Sequence, residues 1–200
     1  MNIVVIGVGY VGLITGLGLS HLNHKVQFVD IDSEKIKKLN NKVPPFYEPK
    51  LDEYLNDEVV GKNVKFSDNY DEIFWDNVDV IMVCVQTPSL DTHEVDTSFL
   101  NKVFEDLKKM NLWDDTAIII SADHGENQGE LNVWGDHQTA DHITNRVPLI
   151  IRWPGITDTN KGNTVENKFY NLDLTSTISQ ITSSTQPDRW DGINFTENLT

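Results

Sequence analysis

Ile3-Val4-Val5-Ile6-Gly7-Val8-Gly9-Tyr10-Val11-Gly12-Leu13 decides how the chain begins to fold: an apolar run stops at a glycine, and a long apolar-periodic segment over 10–22 follows. The run predicts a strand and the periodic segment a helix. The three glycines stand between them in G-x-G-x-x-G spacing, the context in which that pattern describes a dinucleotide-binding turn. Gly7 allows the tight turn, Gly9 lets the backbone approach a pyrophosphate, and Gly12 lets the helix pack on the strand. The helix start at Tyr10 and Val11 supplies N–H groups and the positive end of the helix dipole to phosphates. A second strand over 26–29 ends at Asp30. Its carboxylate can accept from a ribose 2′-hydroxyl and would repel a 2′-phosphate, which favours NAD over NADP. The plainer alternative, a tight βα turn with no ligand, requires strand, glycines, helix, second strand and terminal acid to fall in register by coincidence.

Working outward, Ser33 is placed to cap a helix reaching about residue 40, and Pro44-Pro45 forces a loop before a short helix over 51–55. A weak strand follows at 64–66. The continuous apolar run over 80–85 has the pattern of a strand buried on both faces of a parallel sheet, and Thr87-Pro88 ends it. Phe99, Leu100, Val103, Phe104, Leu107 and Met110 recur at helical spacing. Two more apolar runs, 116–121 and 147–151, predict buried strands, with a polar loop rich in His and Asp between them. A loop that long inside a compact domain is usually functional. Beyond Trp153-Pro154-Gly155 the chain turns polar, one helix is expected over 172–181, and the last dozen residues read as a frayed end. Strands alternating with helices predict an α/β, doubly wound, mostly parallel sheet.

The 200 residues carry 16 Lys and Arg against 31 Asp and Glu, a net charge of −15. That charge repels phosphate backbones and anionic lipid, so nucleic acid and membrane are not expected partners. Cys84 is the single cysteine, which excludes an internal disulfide and a multi-cysteine metal site. No stretch approaches the roughly 18 apolar residues of a membrane span. The first twenty residues lack the basic start of an export signal, and a cytoplasmic location is expected.

Residues 1–13, then Val29-Asp-Ile-Asp-Ser-Glu-Lys-Ile36, Tyr47-Glu-Pro49 and Val83-Cys-Val-Gln-Thr-Pro88, closely resemble the start of the UDP-glucose/GDP-mannose dehydrogenases over roughly residues 1–90. The resemblance implies a Rossmann fold with NAD contacts from Gly7, Gly9, Tyr10, Val11 and Gly12, from Asp30, from Lys35 beside the adenosine ribose, and from Thr87. It also implies a sugar oxidation carried by a cysteine nucleophile and a lysine in a glycine-rich motif, neither of which occurs in these 200 residues. Cys84 sits within the apolar run and reads as a small core residue.

Ile118-Ile-Ile-Ser-Ala-Asp-His-Gly-Glu126 places an Asp–His pair at the carboxyl end of an apolar strand, the edge where open α/β sheets build sites. Asp123 and His124 offer an oxygen and an imidazole to a divalent cation, with Glu126, Asp136, His137, Asp141 and His142 following in the same loop. The alternative is a solvated polar loop. The segment 107–126, Arg146-Val-Pro-Leu-Ile-Ile-Arg-Trp-Pro-Gly155 and Trp190-Asp-Gly192 resemble the sulfatase family, from about residue 96 to the end. That resemblance implies Asp123 and His124 as ligands of a calcium-type cation and His137 near the sulfate group, where many members carry Lys. The family's C/S-x-P-x-R nucleophile motif is absent. Cys84-Val-Gln-Thr-Pro-Ser89 has one residue too many before proline and lacks the arginine.

The chain thus reads as two family fragments joined around 89–97. The first, 1–92, is NAD-binding and dehydrogenase-like; the second, 93–200, is an incomplete sulfatase-like segment, and one hybrid sheet could continue through both. Three functions stay open: a dinucleotide-binding module without full catalysis, a sulfuric ester hydrolase remnant with a divalent-metal site, and a chimera inactive alone or dependent on a partner. Homo-oligomerisation through exposed sheet edges is also open.

Overall fold

Strand β1, Asn2–Ile6, is followed by helix α1, Tyr10–His21, and strand β2, Lys25–Val29, as the opening residues predict. A computed structural model describes residues 1–55, 60–73, 75–88, 90–92 and 94–200, with the side chain of Asp136 excepted. Ser89, at the expected join, lies outside the described residues. The chain divides into two compact units, Met1–Lys109 and Met110–Thr200.

In the first unit, α2 covers Ser33–Asn40, α3 Leu51–Tyr54, β3 Val64–Ser67, β4 Val80–Val83 and α4 Ser98–Lys109. The four strands form one parallel sheet in the order β3-β2-β1-β4. The α/β expectation therefore holds for this unit. Strand order reverses at β1, whose neighbours are β2 and β4, so a crevice is placed at the carboxyl ends of β1 and β4. α1 buries Gly12, Leu13, Gly16, Leu17 and Ser20, one face at helical spacing. A Cβ on Gly16 would strike the Phe28 ring, and that ring stacks on Phe66 with centroids 4.9 Å apart. Val5, Leu13, Leu39 and Val64 complete a dry centre.

Two expectations are corrected here. The cap of α2 is Asp32, not Ser33: its carboxylate accepts from the Lys35 N–H at 3.0 Å, a reach suited to the third helical residue. β4 is half-buried along its length because it pairs only with β1 among the described residues and forms an edge. An apolar run does not distinguish an edge strand from a central one.

The second unit contains β5, Ile118–Ser121, β6, Asn127–Gln128, β7, Trp134–Asp136, α5, His142–Asn145, β8, Leu149–Arg152, and α6, Asn171–Ile181. The predicted runs at 116–121 and 147–151 are both strands, but half-buried ones. They pair antiparallel with each other, Ile119 opposite Ile151, in a separate two-stranded sheet. The expectation of one parallel sheet continued through both segments is thereby corrected. Arg152 braces this ribbon by donating to the carbonyls of Trp113 at 2.7 Å and Thr116 at 3.1 Å, with its guanidinium over the Trp113 ring.

The end of the chain is also better tied than expected. Phe195 is buried, stacks on Phe169 at 4.2 Å, and donates its N–H to Thr177 Oγ1 at 3.0 Å. Asp173, buried at the start of α6, accepts from the N–H groups of Tyr170 and Ile193, each at 2.8 Å. No helix among the described residues is long and apolar enough to cross a membrane.

Removing the Phe28 ring leaves a cavity beneath α1. Phe28→Ala is expected to destabilise the first unit by about 3–5 kcal/mol, measured by urea unfolding followed by circular dichroism.

Candidate nucleotide site and the histidine loop

The turn after β1 is shaped by contact with β4. Gly7 has φ +97°, and a Cβ there would stand 2.5 Å from the Cys84 carbonyl oxygen, so only glycine fits. A Cβ on Gly12 would collide with the Gly7 carbonyl oxygen, which explains why α1 can start so close to the strand. Gly9 differs, since nothing lies within 4 Å of the position its Cβ would take. It caps α1 without a side-chain hydrogen bond, and the first turn holds no acidic residue. The start of α1 thus has no side-chain cap, no acidic residue in its first turn and open space beside Gly9, which suits an anion.

Asp30, just beyond β2, faces this turn. One carboxylate oxygen accepts from the Val8 N–H at 2.7 Å and from Lys35 Nζ at 3.0 Å; the other accepts from the Asp32 N–H at 2.9 Å. Burial works against the charge, but the Asp32 and Val8 N–H groups and the Lys35 ammonium outweigh it and hold the carboxyl below its ordinary range. Asp30 thus fixes the glycine turn as well as offering an acceptor. Lys35 pairs with Asp30 from the first turn of α2.

Tyr10 and Val11 are exposed at the start of α1. The Tyr10 hydroxyl donates to Glu48 Oε2 at 2.6 Å and its ring packs beside Phe46, tying the Tyr47-Glu48-Pro49 segment to the helix start. The hydrogen bond to Glu48 raises the Tyr10 phenol, with lesser help from desolvation and the Glu48 charge. Sequence reasoning did not single out Glu48 as a partner of the turn, because 38 residues separate it from Tyr10. Thr87 is exposed beyond β4. Cys84 packs against the core and burial raises its thiol, so it is a core residue and not a thiolate.

In the second unit, Asp123 and His124 follow β5 as expected. The Asp123 side chain is 88% exposed and its carboxylate stands 3.7 Å from His124 Nε2. His124 is brought instead beside His137, with rings stacked at 4.2 Å, and His137 Nδ1 lies 3.0 Å from Glu126 Oε2. Among the described residues, no third acidic or imidazole ligand gathers around Asp123 and His124 as a pair. Asp141 caps α5 and accepts from Thr139 Oγ1 at 2.6 Å, Asn127 Nδ2 at 3.2 Å and the N–H groups of Ile143 and Thr144. The Thr139 hydroxyl contributes most to holding its carboxyl down at about 2. Asp141 is a structural anchor of the loop, and His142 is the first residue of α5. The Asp136 side chain lies outside what the structure describes.

The model of the UDP-glucose/GDP-mannose dehydrogenase family, NAD binding domain, matches residues 1–123, and the sulfatase model matches residues 91–184. The chain is 39% identical over 122 residues to the UDP-glucose 6-dehydrogenase of Rickettsia typhi, a match covering 61% of this chain and 28% of that protein. It is 39% identical over 88 residues to the UDP-glucose 6-dehydrogenase YwqF of Bacillus subtilis, covering 44% of this chain and 20% of the relative. Among solved structures, a ternary complex of GDP-mannose dehydrogenase from Pseudomonas aeruginosa superposes with a TM-score of 0.50 at 30% identity, over 54% of this chain and 24% of that one. The chain thus spans about a quarter of the length of these relatives. With the family model matching 1–123 of its 200 residues, the chain belongs to the UDP-glucose/GDP-mannose dehydrogenase family through that family's NAD-binding domain.

Proposed function

We propose that the first unit is a nucleotide-holding module that binds NAD at Gly7, Gly9, Tyr10, Val11, Gly12 and Asp30, with Lys35 and Thr87 at its margins, and does not turn it over alone. The observation that carries this reading is the open space in front of Gly9, flanked by first-turn N–H groups and by the Asp30 carboxylate. The residues fit the cofactor. Pyrophosphate oxygens would take the N–H groups at the start of α1, and a ribose hydroxyl would donate to Asp30. When bound, NAD supplies a hydride acceptor. The residues named here bind and orient it, while the sugar oxidation implied by the relatives' names needs a nucleophile and a sugar site that these 200 residues do not supply. Binding is therefore weaker than in a whole dehydrogenase, since fewer contacts enclose the nicotinamide end. The −15 charge favours a small-molecule ligand over nucleic acid.

A second reading, a sulfuric ester hydrolase remnant, is favoured by the sulfatase match over 91–184 and by the position of Asp123 and His124 after β5. Its test is hydrolysis of an aryl sulfate by the purified chain with added calcium. Turnover abolished by Asp123→Ala supports it, and no turnover removes it. On the dinucleotide reading the chain is divided into segments 1–92 and 93–200; the two family matches, 1–123 and 91–184, overlap across that boundary, and the first compact unit extends to Lys109.

Two outcomes are expected. Calorimetric titration should show saturable NAD binding, with NADP weaker and with Asp30→Ala at least about tenfold weaker, the loss of one hydrogen bond to a charged group. No binding by a folded chain defeats the proposal. The Asp30 interactions should also appear without ligand. Because the folded carboxyl lies below its ordinary value of 3.8, its stabilisation is present above that pH and lost as pH falls through the lower folded value. Urea melts should therefore separate wild type from Asp30→Asn at pH 7, and the gap should shrink only once the pH has fallen below 3.8.

A further inference from the structure

We propose that His124, Glu126 and His137 form a binding site for one divalent cation of the zinc class, which takes His124 in place of the calcium-type Asp123–His124 pair and is independent of the dinucleotide reading. One donor atom from each of the three lies within 4.8 Å of the others. His137 Nδ1 and Glu126 Oε2 are 3.0 Å apart, and the two imidazoles lie side by side with centroids separated by 4.2 Å and an 18° tilt. Ligands about 2.0–2.2 Å from a tetrahedral ion stand roughly 3.3–3.6 Å from one another. Closing the trio onto an ion therefore takes movements on the order of an ångström in exposed side chains.

The backbone explains why these residues meet. β6 and β7 pair antiparallel with Asn127 opposite Asp136, so Glu126 and His137, one residue outward on each strand, become cross-strand neighbours. Gly129, at φ +120°, turns the chain between them. The base of the hairpin is fixed. Asn127 is fully buried and donates to Thr139 and Asp141, and the Gly125 N–H donates to the Thr144 carbonyl at 2.8 Å. A Cβ on Gly125 would collide with the Ile143 carbonyl, so the segment carrying His124 and Glu126 lies close against α5.

The donor chemistry selects the ion. His124 Nδ1 is 2.9 Å from the Gly125 carbonyl oxygen, and a proton donated there leaves Nε2 with its lone pair for a metal. At His137 the ion would take the place of the hydrogen between Nδ1 and Glu126, with the ring's one proton carried on Nε2 instead. Two imidazoles and one carboxylate with an open side form a set suited to zinc. Calcium takes six to eight oxygens, and this trio offers a single carboxylate. Asp123 stands beside His124 and is not one of the three.

The test is calorimetric titration of the untagged full chain with zinc chloride and, separately, calcium chloride. The expected result is saturable binding of one zinc, weakened at least about tenfold in His137→Ala and in Glu126→Gln, with calcium binding far more weakly. A second measurement needs no variant: zinc should perturb the ring proton resonances of His124 and His137 among the six histidines of the wild-type chain. Absence of zinc binding by a folded chain, affinity lost only in Asp123→Asn, a preference for calcium, or ring shifts confined to other histidines would each overturn the proposal.

Discussion

The ligand edge of the first unit depends on one close approach, that of Gly7 to the Cys84 carbonyl where β1 and β4 end side by side. Because no side chain fits there, the chain turns sharply into the start of α1, with open space beside Gly9. Asp30 then holds the Val8 N–H, so the end of β2 fixes the same turn from its other side. The carboxylate is held charged by the same donors that position it. A residue expected to recognise a ribose is therefore also part of the turn's own support.

The second unit rests on different physics. Its buried side chains include Asn127, Thr144, Asp173, Ser176 and Thr177, which are polar where those around Phe28 are apolar. Asp141 collects Thr139, Asn127 and two backbone N–H groups, and Asp173 joins α6 to the segment around Ile193. Such interiors depend on every donor finding its acceptor, since an unmet buried group costs about 1–3 kcal/mol. The loop carrying the histidines is built on the first of these networks.

Much of the first unit was legible because its signals are local. Strand, glycine turn, helix and Asp30 lie within thirty residues, and each glycine carries a steric demand visible in spacing alone. Ser33 was a misleading cap because Asp32 beside it has the better acceptor. The runs at 80–85, 116–121 and 147–151 announced strands but not their neighbours. Apolarity does not tell an edge from a centre or a parallel from an antiparallel ladder. The pairing of Ile119 with Ile151, like the meeting of Glu126 with His137, depends on register. The H-x-E spacing at 124–126 and the glycine at 129 were the available signals for the histidine trio, but a short strand pair with a bulged register lies below what periodicity resolves.

The central claim is that the Gly7–Asp30 edge of the first unit holds the dinucleotide. The most direct measurement is a titration of the isotopically labelled chain with NAD, followed through backbone amide resonances. The account predicts progressive, saturable shifts at Val8, Gly9, Tyr10, Val11, Gly12 and Asp30, with the amides around Asp123 and His124 unmoved. Shifts absent from the glycine turn, or centred on the second unit, would contradict it.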